Sequence, residues 1–205
     1  MRKAIQILLV FLILVISYFT YESVMEPIRF KKEKKHRYSK VIQRLKDIRK
    51  AELAYKDVNH DFTGSFDTLI NFVKFDSMPI VKAIGRIPDE LLDSITEEEA
   101  VKKGIIIRDT IKISILDSLF PDNYPIDSLR YIPCAQPNKE FKLGAGVVVT
   151  GSKVKVKVFE ASALNFDILH GLDKQSIINL NDLAKFPGLK VGSLEEANNN
   201  AGNWE

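Results

Sequence analysis

Apolar residues dominate the start of the chain, where Ala4–Tyr21 runs for 18 residues without a charged side chain. An α-helix of this length extends about 27 Å, close to the thickness of the hydrocarbon core of a bilayer. Two basic residues precede the run, and Tyr18 and Tyr21 lie where interfacial aromatic residues are enriched. The pattern predicts a transmembrane signal-anchor helix over residues 1–28.

The flanks of this helix bear on its processing and its orientation. The segment SYFTYESVMEP carries bulky residues where a signal-peptidase site needs small ones, so we interpret the helix as uncleaved. A short N-terminal tail favours an exported body, whereas the seven Lys and Arg of RFKKEKKHRYSK favour a cytoplasmic one. We expect a single-pass protein of the bacterial inner membrane with a periplasmic body, and the cytoplasmic orientation stays open.

A second helical pattern follows in residues 29–60, a basic neck in which residues 29–50 carry 11 Lys and Arg against 2 acidic residues. Apolar side chains recur there at three- and four-residue steps, which is typical of one face of a helix. The stripe consists of Val41, Leu45, Ile48, Tyr55 and Val58. It packs either on the protein's own sheet or on a helix of a second subunit.

The lysine-rich start of the neck has two interpretations, a solvated segment beside the bilayer or a surface that contacts anionic lipid headgroups. The candidate headgroup contacts are Lys31, Lys32, Lys34, Lys35 and Arg37. Few aromatic residues accompany them, which argues against stacking on single-stranded nucleic acid. Residues 51–205 carry 17 basic and 23 acidic residues, so the rest of the chain has no basic footprint for nucleic acid either.

The alternating polar residues Asp57, Asn59 and Asp61 have the spacing that opens a calcium-binding loop. An EF-hand loop counted from Asp57 requires glycine at its sixth position and a bidentate glutamate at its twelfth. Phe62 and Thr68 occupy those positions. We therefore expect no metal at these three residues.

The same segment is better explained as the end of the neck helix. Asn59 and His60 suit the left-handed conformation that terminates many helices. Ser65 is then the N-cap of a second helix with the sequence FDTLINFVK, and Asp67 is favourable in its first turn.

The segment DIRKAELAYKDVNHDFTGSFDTLINF resembles the pilin and pseudopilin family, in which a hydrophobic helix runs into a similarly spaced motif. The matching positions are Asp47, Ile48, Ala51, Tyr55, Asn59, Phe62 and Thr63, with Leu69 in the following helix. The resemblance covers about residues 1–75 and implies a pilin-like shape. His60 replaces the family's glycine, and the prepilin cleavage motif is absent. The chain is also similar to single-pass envelope proteins of Gram-negative bacteria with a tail like GLKVGSLEEANNNAGNWE.

Strand patterns dominate the globular body, residues 61–193. Ile111, Ile113 and Ile115 alternate with polar residues and predict a half-buried strand. IDSLRYIPC predicts another strand, and residues 89–104 predict a short helix closed by Gly104. The fold class is therefore α+β, a long N-terminal helix packed on a small antiparallel sheet.

The strongest β signal is GAGVVVTGSKVKVKVFEA, which predicts a hairpin around a two-residue type II′ turn at Gly151-Ser152. This register pairs Val149 with Val154 and Val147 with Val156 on a buried face that packs on the neck helix. Lys153, Lys155 and Lys157 then form a solvent-exposed row, which is typical of an edge strand that is protected against pairing with another chain.

No catalytic motif occurs in the sequence. The three histidines, His36, His60 and His170, are scattered, and no HExxH, GxSxG, P-loop or GxGxxG motif is present. Cys134 is the only cysteine and is expected to be a small core residue. We expect a non-enzyme without a cofactor.

Two functions follow from these patterns. The first is a membrane-anchored, pilin-like structural or assembly component of the bacterial cell envelope, within a secretion or trans-envelope complex. Its partners would be the lipid bilayer and other envelope proteins, with self-association open. The second is a membrane-tethered module that binds a lipid or a soluble ligand on its β-sheet face.

Residues 194–205 form a polar tail, expected to be flexible apart from Trp204, a candidate partner contact.

Overall fold

The computed structural model describes residues 2–84 and 107–205, together with residues 96, 99 and 105. Their elements in chain order are α1 (Arg2–Asn59), α2 (Phe66–Phe75), β1 (Ser77–Ile84), β2 (Ile107–Ser114), α3 (Ile115–Leu119), a 3-10 helix (Ile126–Arg130), β3 (Lys142–Val149), β4 (Lys155–Leu164), α4 (Asn165–Ile168), α5 (Lys174–Asp182) and β5 (Gly188–Gly192). Helices and antiparallel sheets are mixed, which confirms the predicted α+β class.

The chain divides into two compact units. The first unit comprises Met1–Arg49 and Arg130–Glu205, and the second comprises Lys50–Leu129. Helix α1 is continuous and contributes to both. The helix predicted for residues 89–104 lies almost wholly outside the described residues.

Helix α1 changes its surroundings along its length. Its apolar first half is long and apolar enough to cross a membrane, and none of its most apolar 18-residue window is buried. Further along, Val41, Leu45 and Ile48 are fully buried. Because Pro27 lies inside the helix and has no N–H, one hydrogen bond of the backbone ladder is missing there. The helix therefore has an exposed apolar half and a half whose apolar stripe is covered by protein.

The first unit is built around an antiparallel sheet in the order β3-β4-β5. Helices α4 and α5 connect β4 to β5. Phe159 and Ala161 lie on one face of β4 and are fully buried, as is Val191 of β5. Full burial of each large aliphatic or aromatic side chain contributes about 1.5–3 kcal/mol. The core of this unit also contains Val41, Leu45, Ile48, Ile168, Leu169 and Leu189.

The hairpin between β3 and β4 has a different register from the predicted one. Val149 lies opposite Lys155, and Val148 lies opposite Val156. The loop has three residues, because the N–H of Thr150 donates to the carbonyl of Val154 over 2.9 Å. Lys153 closes this loop in the left-handed conformation, with φ of 62°.

This one-residue shift changes which side chains face solvent. Val147 and Val149, predicted to be buried against the neck helix, are 57% and 61% exposed. Val154 is exposed as well, while Val156 is half-buried. Lys155 and Lys157 are exposed as predicted, on the same face as the two valines.

In the second unit, α1 ends as its sequence predicts. His60 has a φ of 58°, and its N–H donates to the carbonyl of Lys56 over 2.7 Å. Helix α2 begins after Ser65 and carries Asp67 in its first turn. The Ser65 side chain makes no capping hydrogen bond, however.

The rest of the second unit departs from the predicted strands. β2 pairs with β1, a strand that sequence reasoning missed because Pro79 interrupts its pattern. Ile115 is buried at the start of α3 rather than at the end of a strand. IDSLRYIPC, predicted to be a strand, begins as a 3-10 helix, because Pro125 and Asp127 favour a turn.

Two further expectations are corrected by the structure. Cys134 is exposed, with φ of 65°, in the turn between Tyr131 and Glu140, so it is not a core residue. The tail is hydrogen-bonded along β5 instead of extending freely, since Val191 and Gly202 form an antiparallel bridge. Part of the tail is therefore paired with β5, and its flexibility stays a prediction.

Candidate functional site

The first feature of the candidate site is Arg37, which connects α1 to the end of α4 by hydrogen bonds. Its guanidinium donates to the carbonyls of His170 and Ile168, over 2.8 and 3.3 Å. The last carbonyls of a helix have no partner within the helix, and basic side chains commonly satisfy them. The Arg37 side chain is only 16% exposed and also pairs with Glu33 over 2.8 Å. Arg37, a candidate headgroup contact in the sequence, is thus occupied within the fold.

The lysines around Arg37 have different surroundings. Lys31, Lys32 and Lys35 are exposed. The Lys34 ammonium lies 5.6 Å from the centre of the Tyr38 ring, within reach of a cation–π interaction. The hydrogen bond from Arg37 lowers the pKa of Glu33, so this carboxyl group is ionised beside them. Headgroup contact by the four lysines stays a prediction.

A polar chain crosses from α1 to α5 inside the first unit. The Tyr38 hydroxyl donates to Oδ1 of Asn165 over 2.5 Å, and Nδ2 of Asn165 donates to Oδ1 of Asn181 over 2.7 Å. Asn165 is buried, so these bonds satisfy polar atoms that water does not reach. Burial raises the pKa of Tyr38, which keeps its hydroxyl a neutral donor.

Beside the hydrogen bonds of Tyr38, Asn165 and Asn181 lies a cavity of about 790 Å³, a size typical of small-molecule sites. Trp204 and Phe186 contribute aromatic surface to its wall, and Lys190 lies 5.3 Å from the centre of the Phe186 ring. The Lys190 ammonium also pairs with Glu160 over 3.1 Å. Leu180, Ala184, Leu189, Glu195, Glu196 and Asn198 also line the cavity. Its lining is therefore mixed, part aromatic and aliphatic and part charged.

The tail forms one wall of this cavity. Asn203 accepts the N–H of Lys190 and donates to the carbonyl of Gly188. Trp204 lies against Gly202, where an added Cβ would come within 2.4 Å of the indole ring. Its indole N–H is buried without a hydrogen-bond partner among the described atoms. Trp204, predicted as a partner contact, is half-buried in the wall of this cavity.

A second groove of about 520 Å³ lies next to the exposed apolar half of α1. Its lining residues are Glu26, Arg29, Phe30, Lys32 and Glu33 of α1, with Gly171, Leu172 and Asp173 from the loop between α4 and α5. Arg29 pairs with Glu22 over 2.8 Å. Asp173 caps α5 by accepting the N–H of Ser176 over 2.7 Å, and this bonding lowers its pKa.

The second unit holds a buried carboxyl group that sequence reasoning missed. Glu52 is 0% exposed, and its Oε2 accepts the N–H of Thr63 over 3.1 Å. Its Oε1 has no partner among the described atoms. Burial raises the pKa of Glu52 to about 8. The signal was available, because position 52 falls between Ile48 and Tyr55 in the three- and four-residue steps of the stripe.

The other predicted positions are distributed differently. Tyr55 is half-buried, with its ring 5.0 Å from that of Phe72, and Val58 is exposed. Asp57 and Asp61, expected not to bind a metal, are exposed. Among the described residues, no group of three or more His, Cys, Asp or Glu side chains could hold a metal ion. The chain matches no protein-family model, no curated protein and no solved structure.

Proposed function

We propose that the protein is a membrane-anchored, non-enzymatic, pilin-like structural or assembly component of the bacterial cell envelope. The observation that supports this function is the two-part character of α1. One half presents an unburied apolar surface, and the next half buries Val41, Leu45 and Ile48 within the same compact unit. A helix of this kind couples a membrane span directly to a folded body.

Polar contacts strengthen this coupling along the helix. Arg37 and Tyr38 bind the α4 segment, and Arg49 pairs with Glu205 over 2.9 Å. These contacts join α1 to the body at three successive positions along the helix. We place the body in the periplasm and the span in the inner membrane.

Site-specific photo-crosslinking in intact cells tests the assembly function. A photoreactive residue at Ile13 lies in the unburied apolar half of α1, and one at Leu183, which is 89% exposed on the body, is the matched control. We expect Ile13 to crosslink to a defined membrane protein or to a second copy of the chain. A full-length protein that crosslinks only to lipid from Ile13 would contradict the proposal.

The cavity of about 790 Å³ supports a second candidate, a membrane-tethered module that binds a lipid or a soluble ligand. Trp204, the only tryptophan of the chain, lines this cavity and reports on its occupancy by fluorescence. Under this function, mass spectrometry of the protein purified in mild detergent identifies a retained small molecule. Removing that molecule shifts the tryptophan emission, whereas a ligand-free protein with unchanged emission favours the assembly function.

A further inference from the structure

In the proposed membrane placement of α1, the groove next to its apolar half lies at the level of the lipid headgroups. At 1.5 Å per residue, Glu26 and Arg29 lie about 8 and 12 Å beyond Tyr21, the end of the uncharged run. Side chains of an α-helix lean toward its N-terminus, so both lean back toward the bilayer. The loop Gly171–Asp173 closes the groove from the body. A lipid whose acyl chains lie along α1 therefore has its headgroup at this groove.

The fold holds this loop in place beside α1. Arg37 binds the carbonyls of Ile168 and His170, immediately before the loop. Asp173 caps α5, immediately after it. Both ends of the loop are thus fixed, and the groove has a formed wall without a bound lipid.

The charges of the groove are mixed rather than basic. Three carboxylates and two cations line it. Arg29 is paired with Glu22, and Glu33 is paired with Arg37. Glu26 and Lys32 are exposed and form no ion pair with any residue that the structure describes. The five charged side chains that line the groove carry one net negative charge among themselves, and a zwitterion can match both of their signs.

We propose that the groove binds the headgroup of a phospholipid that carries a primary ammonium, of the phosphatidylethanolamine type. Lys32, assisted by Arg29, contacts its phosphate. The carboxylates of Glu26 and Asp173 accept hydrogen bonds from its ammonium. The three N–H donors of a primary ammonium can satisfy both carboxylates, and a quaternary ammonium has no such donor. The inference rests on the membrane anchoring of the proposed function and adds the class of lipid.

Native mass spectrometry of the full chain in detergent micelles measures this selectivity. Phosphatidylethanolamine, phosphatidylcholine and phosphatidylglycerol with identical acyl chains are added in equal amounts. We expect about tenfold greater retention of phosphatidylethanolamine than of phosphatidylcholine, which corresponds to one additional charge-assisted hydrogen bond. Phosphatidylglycerol should be retained less than phosphatidylethanolamine.

Substitutions in the groove distinguish recognition of the ammonium group from recognition of the phosphate. The double variant Glu26→Gln with Asp173→Asn should bring the ratio of phosphatidylethanolamine to phosphatidylcholine close to one. Asparagine also caps helices well, so α5 keeps its start. Lys32→Gln should weaken retention of both lipids, because they share the phosphate. Lys40→Gln removes an exposed charge about 12 Å along α1 from Lys32, outside the groove, and should change neither value.

Equal retention of the two lipids by the native chain would overturn the inference, as would preferred retention of phosphatidylglycerol. Liposome flotation of the same protein distinguishes this failure from failure of the proposed function. A protein that floats without headgroup selectivity contradicts only the lipid class. A protein that does not float contradicts the membrane anchoring and the inference together.

Discussion

The backbone N–H of Thr63 donates to Oε2 of Glu52 across 3.1 Å, and both residues are buried in the second unit. This bond joins α1 to the segment that follows its end at Asn59. It satisfies one buried oxygen of the carboxyl group and leaves Oε1 without a partner among the described atoms. Burial of a carboxyl group in this position favours its neutral form.

The stability of the protein should therefore depend on pH through Glu52. Its folded pKa of about 8 exceeds the ordinary value of 4.5, so the folded state holds a proton that the unfolded state has released between these values. The stabilisation is complete below about pH 4.5 and is lost as the pH rises to about 8. The slope is at most about 1.4 kcal/mol per pH unit.

Glu52→Gln should remove this slope, because the amide keeps an acceptor for Thr63 but does not titrate. Denaturant unfolding of the full chain in detergent at pH 5 and at pH 8 measures this pH dependence of the free energy of unfolding. Asp57→Asn changes an exposed carboxylate on the same helix and is the control that should leave the slope intact. An unchanged slope in Glu52→Gln would assign the pH dependence to another group.

Gly192 should not tolerate a side chain. It has φ of 72°, and an added Cβ would lie 2.0 Å from the carbonyl oxygen of Phe159. We expect Gly192→Ala to cost on the order of 2–4 kcal/mol in the free energy of unfolding. Gly151→Ala is the matched control, since nothing lies within 4 Å of its added Cβ, and it should change stability by about 0.5 kcal/mol or less. Equal effects of the two variants would contradict the close approach of β5 to β4.

Arg37 should contribute to stability rather than to lipid affinity alone. Arg37→Gln removes the hydrogen bonds to the carbonyls of Ile168 and His170, and we expect a loss of about 2 kcal/mol. Lys40→Gln removes an exposed positive charge of the same helix and should be close to neutral. Unfolding measured in detergent without anionic lipid decides between the two roles. Equal stability of the two variants under those conditions would indicate that Arg37 acts only as a surface charge.

The register of the β3–β4 hairpin can be tested at Val149. In the register that the three-residue loop produces, the side chain of Val149 at the end of β3 is exposed. Val149→Lys should therefore change the free energy of unfolding by less than about 0.5 kcal/mol. Val158→Lys buries a charge and should cost more than about 3 kcal/mol. A large loss from Val149→Lys would support the two-residue turn instead.

Local chemistry made several parts of the fold predictable. The uncharged run and the three- and four-residue steps of Val41, Leu45 and Ile48 predict helix α1 because both patterns are properties of consecutive residues. The left-handed end at His60 and the start of α2 after Ser65 follow equally from short-range turn chemistry. The strand β1 was missed for a local reason too, since a proline counts against a strand unless its position at an edge is known.

The sequence by itself determined the membrane-length helix, the amphipathic stripe and the α+β class. Only the tertiary structure decided the hairpin register, the hydrogen bond between Thr63 and Glu52, the role of Arg37 and the docking of the tail on β5. Each of these depends on a partner far away in the chain or on a small local preference between a two-residue and a three-residue hairpin loop. Burial and hydrogen bonding with distant residues outweigh such small local preferences. That is why a polar tail became the wall of a cavity, and a basic neck residue became a fixed contact of the fold.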